Sequence, residues 1–77
     1  MEQSIFYHAG CPVCVEAENE ILDLIGSQKV RVVDLSKDTE AIETAASYLV
    51  KSVPALVTPK GNVLHINFGA SLDDLKK

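Results

Sequence analysis

Cys11 and Cys14 are the only cysteines of this chain, and two residues, Pro12 and Val13, separate them. One short-range pair closes too small a loop to staple a fold, so it calls for a chemical explanation. On a helix this spacing puts both sulfurs on one side, a turn apart, within reach of a disulfide. If the helix opens at Cys11, its unpaired N–H groups and its dipole favour an anion there. Thiolate is the reactive form, and an ordinary thiol supplies only a few per cent of it at neutral pH. Cys11 is then the exposed nucleophile, and Cys14, facing inward, the resolving thiol. An imidazolium at His8, three residues earlier, would lower the Cys11 pKa further. His8, Cys11, Cys14 and His65 also make a four-donor set of the kind zinc accepts, the competing use of the same sulfurs.

The flanking residues supply such a helix. Ser4-Ile5-Phe6-Tyr7 is a β-prone run that ends at the break His8-Ala9-Gly10. From Pro12 to about Ile25 the period is helical, with Cys14, Ala17, Ile21, Leu24 and Ile25 on one face and Glu16, Glu20 and Asp23 on the other. Pro12 fits the first helical position and Gly26 the stop. Val30 to Leu35 is a second strand, reached by a crossover long enough to make the pair parallel. Ser36-Lys37-Asp38-Thr39 offers caps for a second helix over about 40–49, with an apolar stripe of Ile42, Ala45, Ala46 and Leu49. Ala55 to Thr58 and Val63 to Phe68, joined by Pro59-Lys60-Gly61-Asn62, form a hairpin. Ser71-Leu72-Asp73-Asp74 caps a short last helix that turns Leu72 and Leu75 to the sheet.

The order β-α-β-α-β-β-α predicts an α/β fold, a four-stranded mixed sheet with helices on both faces. His65 then falls mid-strand at an edge, away from the cysteine loop, which argues against zinc held by one chain. In this arrangement Leu64, Ile66 and Phe68 face away from His65. The same edge is apolar and open to pairing with a second copy, as a homodimer.

Composition narrows the remaining classes. The chain's 77 residues suffice for one domain, 1–77, with a small core. Apolar residues at 47% and charged ones at 23% are those of an ordinary globular domain. Seven Lys and Arg against eleven Asp and Glu leave a net charge of −4, and the basic side chains are scattered. Nucleic acid and anionic membrane surfaces are therefore excluded as expected partners. There is no apolar run of transmembrane length and no basic-then-apolar secretory start, so a cytoplasmic location is expected.

Taken together, the strand ending in Phe6-Tyr7-His8-Ala9-Gly10, the Cys11-Pro12-Val13-Cys14 motif, Val53-Pro54 before a hairpin and Gly69 before the last helix resemble the thioredoxin/glutaredoxin superfamily. The likeness spans nearly the whole chain in the right order; its size and strand-first start are nearer the minimal glutaredoxin-like fold. It implies a redox pair at Cys11 and Cys14 and a cis peptide bond before Pro54, leaving the Val53 backbone to align an extended substrate. There are departures. Thioredoxins carry Trp-Cys-Gly-Pro-Cys and a buried Asp, where this chain has Gly-Cys-Pro-Val-Cys, no Trp, and Ile5 at the Asp position. At the positions with which glutaredoxins hold glutathione stand His8, Val13 and a single Gly69 followed by Ala70-Ser71.

The resulting expectation is a thiol–disulfide oxidoreductase acting on protein or small-molecule disulfides. It needs no metal or organic cofactor, and an external reductant (thioredoxin reductase or glutathione) restores the dithiol. Two other readings use the same residues: a glutathione-linked reductase, and a non-catalytic binding, metal or redox-sensor module.

Overall fold

A computed structural model describes residues 3–75 and, at 67 and 68, the backbone alone. The expected facing of Phe68, and Lys76 and Lys77, lie outside the described residues. Four strands and three helices follow the predicted order: β1 (Ser4–His8), α1 (Pro12–Ile25), β2 (Val30–Asp34), α2 (Ala41–Ser47), β3 (Ser52–Val57), β4 (Val63–Ser71) and α3 (Leu72–Leu75). The strands lie in the order β2-β1-β3-β4. The β1–β2 pair is parallel and the other two pairs are antiparallel.

β1 lies inside the sheet with helices above and below, so all five of its residues are buried. Alternation along the strands splits the core in two. Phe6 and Leu56 pack under α1 with Ala17, Ile21, Leu22 and Ile25. Ile5, Tyr7, Ala55 and Val57 turn the other way, toward Ile42 and Ala45 of α2 and Leu72 of α3. The helices thus cover both faces, as the pattern required. No described helix is long and apolar enough to cross a membrane.

Several local expectations hold. Pro12 opens α1, and the Gly26 N–H closes it on the Leu22 carbonyl. Asp38 Oδ1 accepts the Ala41 N–H at 3.3 Å where α2 begins, and Ser71 Oγ accepts the Asp74 N–H at 3.2 Å at α3.

Three expectations need correction. Leu24 is 83% exposed, and it is Leu22 that packs on Phe6. On a 100° wheel the two flank the stripe through Cys14, Ile21 and Ile25, so periodicity alone chose the wrong shoulder. The second helix stops at Ser47, short of Leu49. The Val50 N–H turns back to the Ala45 carbonyl and the Leu49 N–H to that of Ala46, a Schellman closure with Leu49 left-handed at φ 71°. That geometry exposes Leu49 and buries Val50 in its place. Finally, β4 runs past its expected end at Phe68 to Ser71, so Gly69 lies inside the strand.

Pro54 explains the length of β4. Register passes from Val53↔Ala70 to Ala55↔His65, two steps along β3 against five along β4. Proline has no N–H to give to the ladder, so β4 bulges opposite Pro54 and rejoins β3 at Ala70. Gly69 belongs to the bulged stretch.

Candidate active site

β1 delivers the chain to the site. Its last residue, His8, is 9% exposed and stacks on Phe6 with ring centroids 5.9 Å apart. His8 Nδ1 accepts the Gly10 N–H at 3.1 Å, while Nε2 lies 3.6 Å from Glu18 Oε1 on α1. Through the Gly10 N–H, His8 ties down the loop before Cys11. Gly10, at φ 76°, turns the chain in a conformation that a side chain would strain.

Cys11 is the N-cap of α1, in extended conformation. Its Sγ accepts the Cys14 N–H at 3.2 Å, the bond a capping oxygen ordinarily takes. The first turn, Pro12 to Val15, holds no acidic residue, so no carboxylate competes for the helix amides or repels negative charge on the sulfur. Cys11 and Cys14 are joined as a disulfide with Cα atoms 5.0 Å apart. The two sulfurs differ in access. Cys14 is fully buried and Cys11 partly exposed.

The far wall comes from β3 and β4. The Val53–Pro54 peptide is cis, and both residues are buried. The β1–β3 ladder ends at Tyr7↔Ala55, so Val53 has no strand partner on the β1 side. Gly69 sits where these parts meet. A Cβ built there would collide with Cys11 Sγ, stand 3.0 Å from the Val53 carbonyl oxygen and 3.2 Å from Val13 Cγ2. Cys11, Val13, Val53 and Gly69 therefore form one convergence, with Cys14 beneath Cys11.

His65 does not join it. It is exposed on β4, and its Nε2 accepts the Lys51 N–H at 3.1 Å. Among the described residues no three His, Cys, Asp or Glu side chains converge as a metal site would require. Tyr7, a strand residue, is 2% exposed and turns to the α2 face.

No family model and no curated protein sequence matches the chain. Among solved structures, a dimeric thioredoxin-like protein from Nitrosomonas europea, determined by solution NMR, is 52% identical, over 97% of this chain and 95% of that one, with a TM-score of 0.86. This chain belongs to the thioredoxin-like proteins. A thioredoxin-like fold that carries a Cys-x-x-Cys disulfide at a helix start is equipped for redox chemistry in general terms.

Sequence reasoning overlooked two members of this thioredoxin-like site. In the sequence Gly69 stands out only as a family landmark, although a glycine in a strand-like run often marks a close backbone approach. Glu18 went unread. It lies four residues after Cys14, on the helix face turned to the sheet, and a charge there signals a polar partner, here His8.

Proposed function

We propose that this protein is a thiol–disulfide oxidoreductase. One observation carries the reading: Cys11 caps α1 with its sulfur on the Cys14 N–H, partly open to solvent, while Cys14 is sealed beneath it. In the reduced protein the same amides stabilise a Cys11 thiolate. That thiolate attacks one sulfur of a substrate disulfide. The substrate S–S bond breaks, one thiolate leaves, and a mixed disulfide remains on Cys11. Val53, unpaired on its β1 side before cis-Pro54, offers its backbone to an extended substrate segment. Cys14, as thiolate, then attacks Cys11 Sγ and expels the second substrate thiolate. The substrate has gained two electrons, and Cys11–Cys14 is the disulfide described above.

Pro12 and His8 are positioning residues in this scheme, the first fixing the helix start and the second the loop before it. No step runs through a metal or organic cofactor. Thioredoxin reductase or glutathione returns the dithiol from outside. The molecule works as one domain in the cytoplasm, where thiols are kept reduced.

The decisive experiment is the Cys14→Ser variant, reduced and mixed with a disulfide probe. A stable adduct on Cys11, seen as a mass increase that dithiothreitol removes, is expected. If Cys11 forms no adduct with any protein or small-molecule disulfide offered, the exchange mechanism is wrong. Turnover with glutathione against turnover with thioredoxin reductase identifies the electron source.

The dimeric state of the Nitrosomonas protein supports self-association here too. β4 is a sheet edge carrying Leu64, 54% exposed. Leu24 is exposed on the same flank of α1 as Val13, which borders Gly69 of β4. A second copy laid along this edge would cover both leucines.

A further inference from the structure

The redox chemistry leaves a second concavity unused. Beneath α2, against β1 and the β2 edge, lies a cavity of about 330 Å³, at the small end of the range for ligand pockets. Its floor is aliphatic, from Ile5 and Val33. These pair with Arg31 and Tyr7 respectively across the β1–β2 ladder, so one face of the sheet presents two apolar and two polar side chains to the same space.

Tyr7 is the unusual wall. The residue is 2% exposed, and no described residue hydrogen-bonds its hydroxyl, yet that hydroxyl is not sealed in apolar surroundings. Tyr7 also lines the cavity. Tyr48 and Arg31 stand close enough to act on Tyr7 electrostatically, and both line the cavity. Asp38 and Glu40, at the entry to α2, also line it. Among the described residues none of these three charges is ion-paired.

We propose that this cavity binds a small zwitterion of the amino-acid type with an apolar side chain. Its carboxylate meets Arg31 and the Tyr7 hydroxyl, its ammonium meets Asp38 and Glu40, and its side chain lies on Ile5 and Val33. A simple anion would face two carboxylates against one guanidinium. A simple cation would leave the Tyr7 hydroxyl and Arg31 unanswered. Only a molecule with both charges answers both the guanidinium and the carboxylates that line the cavity. Affinity is modest and salt-sensitive, because the three charged side chains are exposed.

The protein carries a convenient reporter. It has no Trp, and both of its tyrosines line the cavity, so intrinsic emission reads this site directly. The test uses the full chain titrated with L-leucine, leucinamide (cation only) and 4-methylpentanoate (anion only), followed by tyrosine fluorescence and amide chemical shifts. Leucine should saturate, with shifts centred on Tyr7, Arg31 and Tyr48, and each half-charged analogue should bind roughly tenfold more weakly or worse. Arg31→Gln should weaken leucine by a similar factor while the Cys11–Cys14 pair still exchanges with disulfides, which shows the fold intact. Tyr7→Phe, a smaller change in volume, should do the same. Equal binding of either analogue, leucine binding unaffected by Arg31→Gln, or no saturable change up to the solubility of leucine would each overturn the proposal.

Discussion

Replacing Gly69 by Ala tests the convergence at the redox pair with a single methyl group. Gly69 does not adopt a left-handed φ, so the substitution asks for space and not for a forbidden backbone. The new Cβ would overlap Cys11 Sγ and press on the Val53 carbonyl oxygen at 3.0 Å and Val13 Cγ2 at 3.2 Å. None of these is the loose end of a long side chain: the sulfur is tethered to Cys14 and the oxygen belongs to a paired strand. Overpacking of this kind costs about 1–3 kcal/mol. The cost is not shared equally between redox states. In the dithiol the Cys11 side chain can rotate away, whereas in the disulfide it cannot, so the oxidised form bears most of the strain. A disulfide destabilised by about 1–3 kcal/mol relative to the dithiol has a reduction potential raised by about 20–60 mV. Urea unfolding of each form, together with equilibration against a glutathione redox buffer, measures both quantities. Oxidised Gly69→Ala with wild-type stability and an unchanged potential would refute the packing argument, and with it the claim that β4 forms a wall of the site.

Other consequences can be checked separately. Leu49→Gly should stabilise the protein by about 0.5–1 kcal/mol in urea unfolding, because the left-handed residue is 74% exposed and loses little packing. The Ser36 hydroxyl and N–H, both on Asp34 Oδ1, hold the Asp34 carboxyl below the usual carboxylate range. A depressed carboxyl stabilises above its unfolded value and loses that contribution as pH falls through its folded value. The stability gap between wild type and Ser36→Ala should accordingly be present at neutrality and close on acidification. Burial, followed by Tyr48, pushes the Tyr7 phenol above its ordinary 10.0. The unfolded chain therefore releases that proton first and stability falls as pH rises past 10.0; Tyr7→Phe should remove this alkaline loss and the late phenolate absorbance step. If β4 is the contact between copies, Leu64→Lys should shift the sedimenting species toward monomer without loss of disulfide exchange.

What the sequence made legible follows from how local each signal is. Pro12, Gly26, Asp38 and Ser71 act within one turn of themselves, and each stands where capping rules place it. The Cys-x-x-Cys pair is equally local, since its strand, break and helix are contiguous. Errors arose where a decision belonged to distant partners. Leu22 and Leu24 lie symmetrically about the helix stripe, and only Phe6, far away in sequence, selects between them. Leu49 and Val50 are both apolar, and the choice depends on where the Ala45 carbonyl finds its last donor.

The same distinction explains the site. Cys11 and Cys14 could be read because a single helix end sets their chemistry. Gly69 could not, because its meaning arises only when Pro54 interrupts the ladder and β4 bulges by several residues to stay paired with Val53. A proline that breaks one strand thus dictates a glycine fifteen positions later, where the displaced backbone crosses a sulfur delivered by another element. The coupling has a direct corollary. Pro54→Ala restores a donor to β3 and permits β4 a shorter route, which would draw Gly69 away from Cys11. The penalty of Gly69→Ala should then shrink in the Pro54→Ala background, making the two substitutions non-additive in a double-mutant cycle.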